Sequence, residues 1–413
     1  MSLQTPLECP RDMEEIREGL ARVCVPKREL YLREDGVYEP AWAPVFYNPI
    51  MIMNRDVTVL TLRVLSGKSR IRRASDLMAA TGVRGVRIAL EIPSIDEIYM
   101  GDIDPFACRN ININARLNNV SDRVRLFCGD FNIIAREIVR GGVKIDFNDL
   151  DPFGSPAPYI DSAIELTKRK GFLSVTATDI ASLSGSYPLK TLRRYYSHTV
   201  KTDFSKELGL RVLIGFIVRR GAERDRVLKP LISYYSDHYY KAIFEIDRGA
   251  EKSVRHLDKI GYYRYCKKCL YRDTISLREF AESSLSLTCP SCGGKMSLVG
   301  PVWLGELGDR EFVREIIGET NNCSWIATRD KLVKILSTLE EELSIEKPYY
   351  YTTQSIAALK RMNPPSVRYV VECLREKGFK SSRTHFNSMG FKTDAGYREV
   401  VECFERPSQS LGV

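Results

Sequence analysis

Strand-like and helix-like segments alternate between about residues 74 and 178, and this alternation constrains the fold more than any other feature of the chain. Short apolar runs predict strands, and the segments between them carry helix-starting residues such as Asp104-Pro105 and Ser155-Pro156. This spacing predicts a mostly parallel, doubly wound sheet with helices on both faces. The predicted strands are residues 74–79, 97–102, 124–128, 144–150 and 172–178, and the helix between the first two covers residues 83–91.

The pattern changes after about residue 260. Two apolar runs before that point, residues 211–219 and 239–246, are predicted as an edge pair that completes the sheet. Beyond it we expect a helical stretch at about residues 324–343, and then two helices across a Pro-Pro turn between residues 352 and 379. The basic segment that follows suggests a winged-helix-like module. We therefore predict two domains, residues 1–260 and a smaller α/β domain of residues 261–413.

Composition limits the partners and the compartment. The net charge of +9 fits a polyanionic partner but does not prove one. No apolar run approaches the roughly 20 residues of a membrane-spanning helix, and the N-terminus lacks the apolar stretch of a signal peptide. We therefore expect a cytoplasmic protein with no membrane association. Its 11 cysteines are interpreted as thiols and metal ligands rather than as a disulfide framework, and its four histidines as structural or surface residues.

Polar and small residues stand where the predicted strands end, and ligands bind there in an open parallel sheet. Gly82 permits close backbone approach to a ligand, and the helix that follows offers N–H groups. Asp102 suits ribose hydroxyls, while Asp130 can bond a base edge on which Phe131 packs. The sequence lacks the G-x-G-x-x-G fingerprint, and Asp102 would repel a nearby phosphate. These features favour S-adenosylmethionine as the cofactor.

The fourth strand ends in an Asp-Pro-Phe-Gly turn that begins at Asp151. It resembles the Asp/Asn-Pro-Pro-Tyr/Phe motif of amino-group methyltransferases. A carboxylate here can accept a bond from an exocyclic amine and take its proton as the methyl group arrives. Pro152 fixes a turn whose carbonyl is a second acceptor, and Phe153 can stack on the base. Asp149 is expected to point to the opposite face and ranks below Asp151.

Along nearly its whole length the chain resembles the tRNA (guanine-26-N2)-dimethyltransferases. The resemblance rests on "VFYNPIMIMNRDVTVL", "AATGVRGVR", "DLDPFGSPAPYIDSAI", "YPLKTLRRYY", "ELGLRVLIG" and "RTHFNSMGFKTDA", among other segments. It implies a class I S-adenosylmethionine-dependent methyltransferase with a Rossmann-like sheet, which methylates the N2 amino group of guanine 26 in tRNA once and then again. It also implies that Asp151 lies at the reacting amine, and that the cofactor is contacted by Arg55, Arg84, Asp102, Asp130 and Phe131.

Two C-x2-C pairs predict a zinc site. Four thiolates leave the metal no open position, so the zinc would be structural and would form a ribbon-like knuckle in the second domain. The predicted ligands are Cys266, Cys269, Cys289 and Cys292.

Basic residues interleaved with aromatic ones are the best candidates for tRNA contact, because they suit phosphate binding and base stacking. They are Lys190, Arg193, Arg194, Lys377, Lys380, Arg383 and Lys392, with Tyr195, Tyr196, Phe379 and Phe386.

Two alternatives share parts of this interpretation. The first is an amino-methyltransferase that acts on another nucleic-acid base, such as the N6 group of adenine. The second is a tRNA-binding folding helper with incidental catalysis, for which an Asp151→Ala variant would keep its biological effect. No obligate protein partner is evident from the sequence, and we expect a monomer.

Overall fold

A computed structural model describes residues 8–282 and 284–406 of the chain. These residues form two compact units, and neither unit is continuous in sequence. Unit 1 is drawn from residues up to 176 and from residues 315–333, whereas unit 2 is drawn from residues 177–314 and from residue 334 onward. The division into domains of residues 1–260 and 261–413 stays a prediction.

Unit 1 carries the predicted strand–helix alternation. An N-terminal hairpin of β1 and β2 precedes a long helix and the alternating segments. Its elements are β1 (Met13–Glu18), β2 (Ala21–Pro26), α1 (Ile52–Lys68), β3 (Arg73–Asp76), α2 (Val83–Glu91), β4 (Glu97–Asp102), α3 (Pro105–Leu117), β5 (Val124–Cys128), α4 (Phe131–Arg140), β6 (Ile145–Leu150), α5 (Ile160–Leu166) and β7 (Thr167–Ala177). The parallel strands lie in the order β5-β4-β3-β6-β7, which confirms the predicted doubly wound sheet.

Local sequence explains where these helices begin. The Asp104 side chain accepts a bond from the N–H of Phe106, and Pro105 takes the first position of α3, as predicted. Asp130 caps α4 in the same way. Because the order of the sheet reverses at β3, the chain leaves β3 and β6 in opposite directions, and their carboxyl ends border a crevice.

Unit 2 has two antiparallel three-stranded sheets, β11-β10-β12 and β13-β15-β14, and the antiparallel hairpin β8–β9. Helices α11 and α12 each cross a boundary between the units. The elements are α6 (Ile180–Leu183), α7 (Pro188–Tyr195), α8 (Ser205–Ala222), β8 (Arg226–Ser236), β9 (Tyr239–Arg248), α9 (Ala250–Leu257), β10 (Ile260–Tyr265), β11 (Arg272–Ser276), α10 (Leu277–Glu282), β12 (Ser297–Trp303), α11 (Arg310–Asn322), α12 (Arg329–Glu342), β13 (Tyr351–Thr352), α13 (Thr353–Lys360), α14 (Val367–Glu376), β14 (Ser381–Thr384), β15 (Asn387–Thr393) and α15 (Tyr397–Glu405).

The predicted strand at residues 211–219 is wrong, because these residues lie inside helix α8. The strand that pairs with β9 is β8, which follows α8. Short apolar runs do not distinguish a buried helix from a buried strand, and α8 is buried on nearly all sides. The backbone of residue 303 packs closely against this helix at Gly215, because a Cβ at that position would lie 2.8 Å from the backbone nitrogen of Trp303.

The helical stretch predicted at residues 324–343 is shorter than expected, since α12 begins at Arg329. The two helices across the Pro-Pro turn are confirmed as α13 and α14. They are followed by the antiparallel pair β14–β15, as a winged-helix-like module requires.

The interpretation of the remaining cysteines as thiols is wrong for six of them. Disulfides join Cys9 to Cys24, Cys108 to Cys128, and Cys373 to Cys403. Sequence spacing could not predict these pairs, because each joins cysteines 15 to 30 positions apart that only the tertiary fold brings within bonding distance.

Within residues 8–282 and 284–406, none of the helices combines the length and the hydropathy that crossing a bilayer requires.

Candidate functional site

The carboxyl ends of the central strands bring several predicted site residues together. Asp76, the last residue of β3, is in register with Asp149 of β6. Asp102 ends the neighbouring strand β4, and Asp151 follows the last residue of β6. Parallel pairing therefore places four carboxylates along one edge of the sheet.

Arg84 lies among these carboxylates and is almost completely buried. One of its Nη atoms lies 2.8 Å from Asp149 and 2.9 Å from Asn54 Oδ1, and the other forms an ion pair with Asp151. Burial opposes its charge, but the neighbouring carboxylates raise the pKa of Arg84 above its ordinary value. Arg84 therefore holds Asp151 in place, while its contact with a cofactor stays a prediction.

The expectation that Asp149 points away from Asp151 is wrong. Both carboxylates reach Arg84, and Asp149 also accepts a hydrogen bond from Ser174 at 2.5 Å. Successive residues of a strand alternate between faces, so residues two positions apart share one. Asp149 thus helps to hold the Arg84 side chain that pairs with Asp151.

Asp76 was missed by the sequence argument. Its side chain is buried, and its Oδ2 atom has no hydrogen-bond partner among the described residues. Burial raises the pKa of Asp76 to about 7; Arg84 opposes this shift, and the negative charges of Asp149 and Asp151 add to it. The strand predicted at residues 74–79 placed Asp76 in its interior, whereas β3 ends at Asp76. A carboxylate in an otherwise uncharged segment was the available signal.

Asp102 and Asp130 already accept backbone hydrogen bonds. Asp102 accepts from the N–H groups of Ala80 at 2.9 Å and Asp104 at 3.1 Å. Asp130 accepts from the first turn of α4 at 2.9 and 3.2 Å. These bonds hold both carboxylates in fixed orientations at the strand ends, and their ligand contacts stay predictions.

Gly82 and Phe131 line the same edge. Gly82 has a φ of +76° before α2, and a Cβ at this position would lie 2.8 Å from Cε of Met100. Glycine is therefore required by the backbone and by packing. Phe131 is only 2% exposed and packs edge-on against Tyr159. The contact of either residue with a cofactor stays a prediction.

Arg55 is buried and is neutralised by Glu18 through bonds of 2.6 and 2.7 Å. Its guanidinium also lies 5.2 Å from the centre of the Tyr47 ring. The proposed contact with a cofactor, which rested on the resemblance alone, stays a prediction.

Two aromatic rings flank the Asp151 turn. Phe153 is 73% exposed, and its ring lies edge-on to Phe46 with the centres 4.5 Å apart. Phe153 was predicted from the Asp-Pro-Phe-Gly turn, whereas Phe46 was not predicted, because the segment around Phe46 is uncharged and carries no recognisable spacing. The exposed ring of Phe153 presents an apolar surface beside a carboxylate, which suits a planar substrate with a polar edge.

The family model for N2,N2-dimethylguanosine tRNA methyltransferases matches residues 19–405. The chain belongs to this family. Among its relatives, the tRNA (guanine(26)-N(2))-dimethyltransferase of Sulfolobus acidocaldarius is 38% identical over 95% of this chain and 98% of its own length. The enzyme of the same name from Sulfurisphaera tokodaii is 40% identical, again over 95% of this chain and 98% of its own length.

A solved structure supports the same assignment. The complex of Trm1 from Pyrococcus horikoshii with S-adenosyl-L-methionine is similar to this chain with a TM-score of 0.82 and 32% identity, over 95% of this chain and all of that one. The predicted class I methyltransferase fold with its Rossmann-like sheet is thereby confirmed.

The four predicted zinc ligands of this family member come together in unit 2. Their ligand atoms all lie within 4.8 Å of one another. The sulfurs of Cys266 and Cys292 are 3.6 Å apart, as are those of Cys269 and Cys289. Sulfurs bound tetrahedrally at about 2.3 Å from zinc lie about 3.8 Å apart, so the four cysteines fit the metal.

The basic residues predicted to contact tRNA divide into two groups. The prediction that Lys392 contacts tRNA is wrong, because this residue is only 2% exposed and its ammonium nitrogen lies 2.7 Å from Glu207. Phe386 and Tyr195 are also buried and cannot stack on RNA. Arg194 is partly buried and pairs with Asp179. The residues on the surface are Lys190, Arg193, Lys377, Lys380, Arg383 and Tyr196.

Proposed function

We propose that this protein transfers methyl groups from S-adenosylmethionine to the N2 amino group of guanine 26 in tRNA, first one and then a second. The observation that carries the proposal is Asp151, held by Arg84 at the carboxyl end of β6 and followed at once by the exposed ring of Phe153. Membership of the family supplies the reaction and the substrate.

The acidic edge of the sheet, which is formed by Asp76, Asp102, Asp149 and Asp151 at the carboxyl ends of the strands, fits the cofactor. S-adenosylmethionine, when bound, supplies an electrophilic methyl group. The unsatisfied Oδ2 atom of buried Asp76 suits a cationic donor such as the cofactor's ammonium group. Asp102 is the proposed partner of the ribose hydroxyls, and Asp130 of the adenine edge. Gly82, Arg55, Arg84 and Phe131 complete the proposed binding set.

Asp151 has the chemistry that the acceptor needs. The lone pair of the guanine amino group is delocalised into the ring, so the nitrogen is a weak nucleophile. Asp151 accepts an N–H bond, favours the tetrahedral geometry of that nitrogen and takes its proton. Arg84 orients Asp151, while Pro152 fixes the turn and Phe153 stacks on the base. The same cycle repeated on the monomethyl product gives the dimethyl product.

Other features of the chain fit this activity. The exposed basic residues Lys190, Arg193, Lys380 and Arg383 are the proposed phosphate contacts. Zinc held by the four cysteines stabilises unit 2 and takes no part in catalysis. We also propose that the protein works in the cytoplasm as a monomer.

The Asp151→Asn variant tests the proposal. With unmodified tRNA and labelled S-adenosylmethionine, the wild type is expected to form N2-methyl- and N2,N2-dimethylguanosine, read by mass spectrometry of the nucleosides. The variant should be slower by about 10²–10⁴-fold, because the proton acceptor is lost. Its affinity for S-adenosylmethionine should change little.

The matched control is Asp122→Asn, which removes an exposed carboxylate from the loop before β5. It should keep wild-type activity. Label in another nucleoside would favour methylation of a different base. A fully active Asp151→Asn protein would show that Asp151 is not the proton acceptor.

A further inference from the structure

We propose that Trp42 is a stacking platform for a tRNA nucleotide that neighbours the target guanine. The inference rests on the proposed function and extends it, since it adds a substrate-positioning residue outside the Asp151 turn. Neither the Asp-Pro-Phe-Gly motif nor the strand-end carboxylates include this residue.

Trp42 is held outward by an ordered turn. Its side chain is 59% exposed, although the residue lies in a single helical turn, Pro40–Trp42. The side chain of Glu39 caps this turn by accepting from the N–H of Ala41, and the N–H of Trp42 donates to the carbonyl of Glu39 at 3.1 Å. A flat apolar ring held in solvent by an ordered turn can receive the face of a base without prior rearrangement.

The other two tryptophans show the contrast. Trp303 is 1% exposed, and the indole N–H of Trp325 donates to Glu91 at 2.8 Å. Each is thus accounted for by the fold. The exposed indole of Trp42 is accounted for by contact with another molecule.

The position of Trp42 relative to Asp151 follows from the chain. Trp42 precedes Phe46 by four residues, and the Phe46 ring packs against Phe153. Four residues of fully extended chain span at most about 14 Å. Bases of one strand rise by about 3.4 Å each in a duplex, so this reach corresponds to a few nucleotides. A base near the target guanine can therefore reach Trp42.

The chemistry of the segment favours the face of a base over a phosphate. Residues 40–54 contain no charged side chain that could bind a phosphate, and the nearest cation before them, Arg33, already pairs with Asp35 at 3.3 Å and Glu39 at 4.0 Å. Stacking on an aromatic ring needs no charge and tolerates any base. The rigid turn also reduces the conformational entropy that binding would otherwise cost.

Steady-state methylation by the full-length protein tests this with three variants. Trp42→Ala should raise the KM for tRNA about 5- to 100-fold, because one stacking contact is lost. Its kcat and its affinity for S-adenosylmethionine should stay near wild type. Trp42→Phe keeps a flat ring and should recover most of the loss. The control is Leu126→Ala, which removes an exposed apolar side chain from β5 and should leave the KM unchanged.

Tryptophan fluorescence provides an independent readout. Unmodified tRNA should quench the emission of the wild type, and the quenching should largely disappear in Trp42→Phe, in which only Trp303 and Trp325 remain. An unchanged KM in Trp42→Ala with normal wild-type methylation would overturn the platform and leave the proposed function intact.

If the wild type binds tRNA but does not methylate it, the proposed function fails. The fluorescence quenching alone then tests whether Trp42 stacks on a tRNA base. A wild type that does not bind tRNA overturns both. Quenching that persists in Trp42→Phe would overturn the proposal that Trp42 stacks on a tRNA base. The proposal would also be overturned if a protein partner, but not tRNA, quenched the emission of Trp42.

Discussion

At the scale of single residues, the acidic edge of the sheet has fewer cations than carboxylates. Arg84 interacts with Asp76, Asp149 and Asp151, yet it contributes one positive charge. Asp149 and Asp151 make direct ion pairs with it, while Asp76 is left buried with an unsatisfied oxygen. The most stable state for such a group is the protonated one, and this is why the pKa of Asp76 rises to about 7.

This shift predicts a pH-dependent effect of Asp76→Asn on the ligand-free protein. In the unfolded chain Asp76 ionises near the ordinary aspartate value of 3.8, whereas in the folded protein its pKa is about 7. Its contribution to stability is therefore present below about pH 4 and is lost as the pH rises through about 7. Asp76→Asn should raise the melting temperature relative to wild type more at pH 8 than at pH 5. An equal change at both pH values would show that Asp76 does not titrate in this range.

At the scale of elements, the hairpin β1–β2 is fastened to the helices by buried charge. Glu18, the last residue of β1, is 3% exposed and bonds Arg55 of α1 and Arg87 of α2. Tyr47 donates a further bond to Glu18 at 3.0 Å. Burial opposes the ionisation of Glu18, but the two arginines lower its pKa to about 2. One carboxylate thus joins three elements.

Glu18→Gln is expected to destabilise the protein by about 3–5 kcal/mol, because it removes the carboxylate that pairs with buried Arg55 and one of the three that pair with buried Arg87. The free energy of unfolding at pH 7 is the measurement. The contribution of Glu18 should be present above about pH 4.5 and lost as the pH falls toward 2.

The matched control is Glu15→Gln on the same strand, where the loss of an exposed pair with Arg22 should change the stability little. Equal losses in the two variants would mean that the burial of the Glu18 network adds nothing.

At the scale of the whole molecule, covalent links and metal ligands account for nearly all the cysteines. Three disulfides use six of them, and the zinc site uses four. Each disulfide lies inside one unit. Structural disulfides are rare in intracellular proteins except those of hyperthermophiles. Together with the zinc site, they indicate a chain that is cross-linked for stability in both units.

Thiol labelling tests this assignment. Denatured, chelator-treated protein should label at five of its 11 cysteines without reductant and at all 11 after reduction. Reduction should also lower stability by about 2–4 kcal/mol for each bond, seen as a lower melting temperature of the metal-loaded protein. Labelling of all 11 thiols without reductant would show that the disulfides do not form in solution.

The sequence predicted much of unit 1 because its signals are local. Helix α2 and strands β4 and β5 have the bounds expected from sequence. Their apolar periods and the caps at Asp104 and Asp130 lie within a few residues of the elements they define. Helix α8 was missed because an apolar run buried on nearly all sides carries no period that separates helix from strand.

The sequence by itself determined most of the alternating elements, the acids that follow three of the strands (Asp102, Asp130 and Asp151), the Asp-Pro-Phe-Gly turn and the four cysteines of the metal site. All of these follow from neighbouring residues or short spacings. Only the tertiary structure decided that Arg84 pairs with Asp151, 67 positions away, and that Lys392 is buried against Glu207, 185 positions away. It also decided that Trp42 is exposed. Charge pairing and burial depend on which distant segments the fold brings together, and no local pattern encodes that.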